Sequence, residues 1–185
     1  MNPKVSVFIA TSLDGFIARE DGELDWLDAA TATAPEGEDC GYGAFMETVD
    51  VLVMGRKTFD KVLSLGSWPY GKTPVVVLSR NPITFPSHLP DIVTHSSEEP
   101  TALCKRLSRG GAKHLYVYGG DTIGRFLTDG LVDELTITLI PILLGDGIPL
   151  FRQLAADVKL KCSETKTFEF GFVQLKYDVK NKMSN

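Results

Sequence analysis

Apolar residues come in short blocks along the first two thirds of the chain. VSVFIA at 5–10 is continuously apolar and β-branched, the pattern of a strand buried on both faces. VLVM at 51–54, VVVL at 75–78 and LYVY at 115–118 repeat it, and IVT at 92–94 is a shorter version. Between these blocks the pattern turns helical. One helix ends over 44–49 and another spans 58–65. A third runs to about 108 from a cap at Ser96 or Ser97, with Glu98 and Glu99 in its first turn; a fourth runs from the paired glycines to 128. Alternation of strand and helix predicts a largely parallel sheet with helices on both faces. The last third changes character. Segments 134–140, 160–167 and 172–179 read as strands without long helices between them, predicting an antiparallel extension at one edge. Segment 20–43 reads as a long loop with a short helical piece around Trp26 and Leu27, and loops of that length often act as lids. Residues 1–179 read as a single domain and 180–185 as a frayed polar tail.

Composition narrows the class. With 185 residues, 43% hydrophobic and 23% charged, the chain can build one ordinary globular core. The net charge is -5 and no Lys/Arg run stands out, which disfavours nucleic acid as a partner. An anionic ligand must therefore be met by local positive groups. Cys40, Cys104 and Cys162 lie far apart, form no CxxC pair and have no nearby His. That argues against a disulfide framework or a zinc site, predicts no metal, and fits reduced thiols in a cytoplasm. The apolar run at the N-terminus is too short for a signal sequence, and no stretch reaches the roughly 18 apolar residues that span a membrane.

Four motifs carry candidate chemistry. Gly66–Thr73 fits the letter pattern of a nucleotide-triphosphatase phosphate loop, but a helix precedes it and Pro74 with VVVL follows, so it reads as a surface turn. Gly55, Arg56, Lys57 and Thr58 sit where a strand gives way to a helix. A glycine, free helix N–H groups, two cations and a hydroxyl suit a phosphate ester, although a capped helix with solvated basic residues has the same pattern. Gly119, Gly120, Asp121, Thr122 and Ile123 repeat that junction, with room for a pyrophosphate against the backbone and Asp121 or Thr122 as cap. Ser79 and Arg80 close the third strand and can hold a second phosphate, or simply face solvent. Each of these last three lies at the carboxyl end of a predicted parallel strand, the edge where open α/β sheets bind ligands. The G-x-G-x-x-G fingerprint is absent.

Taken in order, IATSLDGFIA, VMGRKTF, LSR, YGGDTIGRFL and DELTITLIPILLGDGIPLF resemble the dihydrofolate-reductase-like superfamily. They are closest to the C-terminal reductase domain family of the bacterial riboflavin-biosynthesis protein RibD. The resemblance implies an α/β fold, NADPH as cofactor and a homodimer. It implies that the Ala10 backbone meets the nicotinamide carboxamide, that Gly55, Arg56, Lys57 and Thr58 hold the adenosine side, and that Ser79 and Arg80 contact the 2′-phosphate. Gly119 to Ile123 would line the pyrophosphate, with a cis peptide between Gly119 and Gly120. The chain departs from the family in lacking the deaminase signature H-x-E…P-C-x-x-C, so it is expected to act as a stand-alone reductase domain. The acidic residue with which dihydrofolate reductases hold pterin is not firmly matched; Asp39 lies nearest.

These features predict hydride transfer to a small polar heterocycle or a ribosylaminopyrimidine-like compound, such as 5-amino-6-(5-phosphoribosylamino)uracil. A pterin reductase and a non-catalytic NADP-binding protein are the other readings. Trp26, Tyr42, Phe45 and Trp68 are candidate substrate contacts, though the tryptophans equally suit core or lid packing. Asp14 and Asp39 are the candidate proton donors. Asp14 equally suits its Asp-Gly turn, and Asp39 serves as a donor only if buried, otherwise as a solvated helix cap.

Overall fold

The computed structural model describes residues 2–151, 154 and 156–180. In chain order its elements are β1 (Lys4–Ser12), β2 (Phe16–Ala18), α1 (Asp25–Thr31), α2 (Tyr42–Met46), β3 (Val51–Gly55), α3 (Arg56–Ser64), β4 (Val75–Leu78) and β5 (Val93–Ser96). There follow α4 (Pro100–Arg109), β6 (His114–Tyr118), α5 (Gly120–Thr128), β7 (Glu134–Ile140), β8 (Ile148–Pro149), β9 (Leu160–Thr167) and β10 (Val173–Val179). Eight strands make one sheet in the order β5-β4-β3-β6-β1-β7-β10-β9, and β2 pairs with β8 apart from it.

The strands from β5 to β7 in that order run parallel; β10 runs antiparallel to β7 and to β9. This is the α/β architecture the blocks predicted, with one correction. Segment 134–140 was expected in the antiparallel extension, but β7 lies parallel to β1 from Ser6↔Glu134 to Ser12↔Ile140. The reason is α5. A helix between β6 and β7 returns the chain to the starting end of the sheet, so the next strand runs the same way. Only β9 and β10 form the extension.

Successive side chains feed opposite cores. Val51 and Val53 join Val76, Leu115 and Val117 on one face; Leu52 and Met54 join Val75, Val77 and Tyr116 on the other. Leu103 of α4 and Ile123 and Phe126 of α5 cover the first face, while Phe59 and Val62 of α3 cover the second. Strands buried on both sides need no polar positions, which is why they read as unbroken apolar runs. Each fully buried large side chain contributes about 1.5–3 kcal/mol.

Two local expectations change. The helix expected to start at Ser96 or Ser97 starts at Pro100 after Glu99, with no side-chain cap. Proline fits a first helical position because it has no N–H to satisfy. Ser96 instead ends β5, and its hydroxyl donates to Glu98 Oε2 at 2.8 Å. Lys180 is tied in rather than frayed, its N–H donating to Lys159 O at 2.9 Å; residues 181–185 of the expected tail lie outside the described residues. The three cysteines are unpaired. Among the described residues no helix is long and apolar enough to cross a membrane, and no group of three or more His, Cys, Asp or Glu side chains could hold a metal ion.

Candidate functional site

The sheet opens beside β1. That strand pairs with β6 only over Lys4–Ser6, yet stays paired with β7 as far as Ser12. On its β6 side the backbone beyond Ser6 is therefore free of strand partners, and the gap becomes a cleft of about 920 Å³ at the carboxyl ends of the parallel strands. Ala10, Gly55, Leu78 and Tyr118, at or near the ends of four of those strands, all line it. A volume of this size suits a dinucleotide with a small second ligand.

Two helices begin at the cleft wall. α3 starts after Gly55 and α5 after Gly119, and neither N-terminus has a side-chain cap. Asp121 and Thr122, expected as caps, lie inside the helix, because Gly119 takes the capping position. The first-turn amides and the positive dipole ends of both helices thus remain available for an anion. Gly55, Arg56, Lys57, Thr58, Gly119, Gly120, Asp121 and Thr122 all line the same cleft. Gly119 has φ +91°, and a Cβ there would collide with Thr58 Oγ1. A Cβ on Gly55 would come within 3.0 Å of Thr122 Oγ1. The absence of side chains lets the two helix starts approach each other closely. The Gly119–Gly120 peptide is trans, which corrects the expected cis bond; the left-handed φ of Gly119 makes the turn instead.

Ser79 and Arg80 reach the cleft from the end of β4. The Ser79 hydroxyl donates to Asn81 O at 2.8 Å and shapes that turn. Arg56 pairs with Asp60 (2.7 Å), Lys61 with Glu23 (2.7 Å) and Arg125 with Glu99 (2.8 Å). Lys57 and Arg80 are exposed at the cleft.

Other expected residues fall elsewhere. Ile123, expected at the pyrophosphate, points into the core with no exposure. Among the four aromatic candidates, Tyr42 alone lines the cleft. Trp26 packs with Ile140, Phe168 and Phe172. Phe45 stacks among Phe8, His114 and Tyr116, and Trp68 sits edge-on to Phe59 and Tyr70. Asp14 is a turn residue that accepts hydrogen bonds from Ser12 Oγ (2.6 Å) and from the amides of Leu144 and Gly145, the latter at 2.8 Å. The Ser12 hydroxyl above all holds its pKa below the usual carboxylate range. Asp39 is exposed and accepts from the amides of Gly43 (2.7 Å) and Gly41 (2.8 Å), which lower its pKa. Neither carboxylate lines the cleft, and neither is the buried, proton-holding acid a donor would have to be. Segment 66–73 is a turn between α3 and β4, not a phosphate loop.

The cleft also holds residues that sequence patterns did not single out. Tyr116 and Tyr118 project to one face of β6, as residues two apart on a strand must. The Tyr116 hydroxyl donates to Phe8 O at 2.7 Å. Burial, then the neighbouring Tyr118, pushes Tyr42 up to about 12, and burial raises Tyr118 as well, so these phenols stay protonated at neutral pH. Glu20, Asp21 and Leu24 reach the cleft from the loop between β2 and α1. That loop is braced by Arg19 and Asp25 (2.6 Å) and tied to α3 through Glu23 and Lys61.

Residues 3–173 match the RibD C-terminal domain family. The Bacillus subtilis (strain 168) protein YwjB is 38% identical over 180 residues, 96% of this chain and 98% of that one. Among solved structures, a putative riboflavin biosynthesis protein from Shewanella sp. PV-4 superposes with a TM-score of 0.90 at 41% identity, covering 98% of this chain and 100% of that chain. The Thermotoga maritima diaminohydroxyphosphoribosylaminopyrimidine deaminase/5-amino-6-(5-phosphoribosylamino)uracil reductase shares the fold, with a TM-score of 0.71 at 15% identity over 97% of this chain and 57% of that chain. With its parallel sheet, its open strand edge and a family match over nearly its whole length, the chain belongs to the RibD C-terminal domain family.

Proposed function

We propose that this chain is an NADPH-dependent reductase that passes hydride to a small polar heterocycle. The observation that carries the reading is the meeting of two uncapped helix N-termini, α3 and α5, with Arg80 in one cleft. The close approach of Gly119, which has no side chain of its own, to the Thr58 hydroxyl is the kind of cradle a pyrophosphate needs. The amides that open α5 would hold the pyrophosphate, and Lys57 and Arg80 the phosphorylated adenosine end. The β1 edge left unpaired by β6 would offer the Ala10 backbone to the carboxamide.

When bound, NADPH supplies the hydride. The chain's own work is to align two flat molecules and exclude water. The protonated phenols of Tyr42 and Tyr118 donate hydrogen bonds to the acceptor; Asp14 and Asp39, ionised and outside the cleft, do not supply its proton. The chain acts in the cytoplasm as a homodimer, for which the edge strand β9, exposed at every position, leaves a surface. Light scattering reads the dimer directly.

The test of the main reading is thermal. NADPH raises the melting temperature well above the shift that equal NADH produces, and mixing with heterocyclic acceptors consumes the 340 nm absorbance of the reduced nicotinamide. No shift with either nucleotide removes the reading, and binding without oxidation of any acceptor leaves a non-catalytic NADP-binding protein.

A further inference from the structure

The cleft has two unlike halves. Its lining cations, Arg56, Lys57, Lys61, Arg80 and Arg125, all come from α3, α5 and the turn after β4. The rest of the lining comes chiefly from β1, β2, α1, α2, β8 and the loop before α1; it adjoins the cationic part where Ile17 and Pro149 lie against Gly120 and where Glu23 pairs with Lys61. It presents Ala10, Ile17, Leu24, Leu27, Tyr42 and Ile148, with no cation among the described residues. Its charged contributors are the exposed acids Glu20 and Asp21. Arg19, on the same segment, is not free to serve, because Asp25 holds it through hydrogen bonds of 2.6 and 2.9 Å.

Resting on the reductase reading above, we infer that the acceptor is a flat, uncharged heterocycle bearing no phosphate or carboxylate. The dinucleotide occupies the cationic half, including both helix N-termini, and uses the anion-binding groups the cleft has. An acceptor seated beside it lies against apolar side chains and phenol hydroxyls. A phosphate on that acceptor gives up its water without gaining a cation or a helix amide, in a cleft whose non-cationic lining adds the acids Glu20 and Asp21. Like charges brought together in a partly enclosed site cost far more than in open water. An uncharged ring meets none of these penalties. It stacks on aliphatic and aromatic walls, while its ring oxygens or nitrogens accept from Tyr42 and Tyr118. The Thermotoga maritima neighbour is named for a substrate that carries a phosphate; the wall described here selects against that group.

The test uses the whole protein saturated with NADPH and two matched pairs of probes. These are 5-amino-6-(ribosylamino)uracil with its 5′-phosphate, and riboflavin with its 5′-phosphate. Titration followed by fluorescence quenching reads affinity, and nicotinamide absorbance reads turnover. In at least one pair the uncharged compound binds about tenfold or more tightly than its ester. Equal affinity within both pairs, preference for an ester, or no binding of either uncharged compound overturns the inference. The melting shift with NADPH, recorded first, keeps the two readings apart. A protein that takes NADPH yet prefers the esters refutes the acceptor class alone. One unmoved by NADPH refutes the reductase reading and this inference with it.

Discussion

Thr58 Oγ1 occupies the space where Gly119 would carry a Cβ. One residue belongs to the first turn of α3 and the other precedes α5, so this contact sets how closely the two helix starts approach. Gly119→Ala therefore carries two penalties, the left-handed φ of +91° and the collision. Together they lower stability by about 1–3 kcal/mol and widen the anion cradle, so the melting shift with NADPH shrinks. Adding Thr58→Ala relieves the collision but not the φ. The double variant recovers part of the stability in a denaturant melt; no recovery at all would show that the contact does not limit the approach.

Arg80 stands exposed at the end of β4. In the proposed reading its guanidinium meets the phosphate that distinguishes NADPH from NADH. A charge-assisted hydrogen bond contributes about 1.5–3 kcal/mol. Arg80→Ala thus weakens NADPH binding by about ten- to a hundredfold and leaves NADH binding nearly unchanged. Equal losses for both nucleotides, measured by calorimetric titration, would reassign Arg80 to a phosphate they share.

The strand–glycine–helix junctions were legible because each is a contiguous stretch whose chemistry does not depend on the rest of the chain. Gly55–Thr58 and Gly119–Thr122 are such stretches, and the structure brings them to one cleft. The aromatic candidates were not legible in that way. An indole reads the same in sequence whether it fills a core, as Trp26 does, or faces a ligand. Glu20 and Asp21 reach the cleft because a local ion pair, Arg19 with Asp25, and a tertiary one, Glu23 with Lys61, set the path of their loop. No local pattern records the second pair. The direction of β7 was legible in principle, since the helix over 120–128 demanded a parallel return; the strand-rich sequence that follows obscured it.

Asp14 joins the β1–β2 turn to the segment at Leu144 and Gly145. Its pKa is lowered, so the stability it contributes is present above the ordinary carboxylate value of 3.8 and is lost as pH falls through the depressed folded value. Asp14→Ala lowers the melting temperature at pH 7, and the deficit shrinks as pH falls below 3.8. The pH profile of kcat keeps its shape, because the group does not touch the acceptor. Loss of the fall in kcat that accompanies deprotonation of an acid as pH rises would restore Asp14 as a proton donor.

His114 adds acid sensitivity of the same sign, here by favouring the neutral form of a base. The residue is only 9% exposed, with Nε2 at 2.8 Å from Ser6 Oγ and Nδ1 at 3.0 Å from Thr48 O. Burial, the largest influence, lowers its pKa below the ordinary histidine value of 6.5, so the folded state favours the neutral ring. Below pH 6.5 the unfolded chain takes up a proton that the folded chain refuses, and stability falls as pH drops from there toward the folded pKa. Above pH 6.5 the contribution is present in full. His114→Gln replaces the ring with a group that cannot titrate. The variant is less stable at pH 8, where Ser6 loses a well-placed partner, but its melting temperature changes less between pH 6.5 and 5 than that of the wild type. Parallel slopes for the two proteins over that interval would place the acid sensitivity in another group.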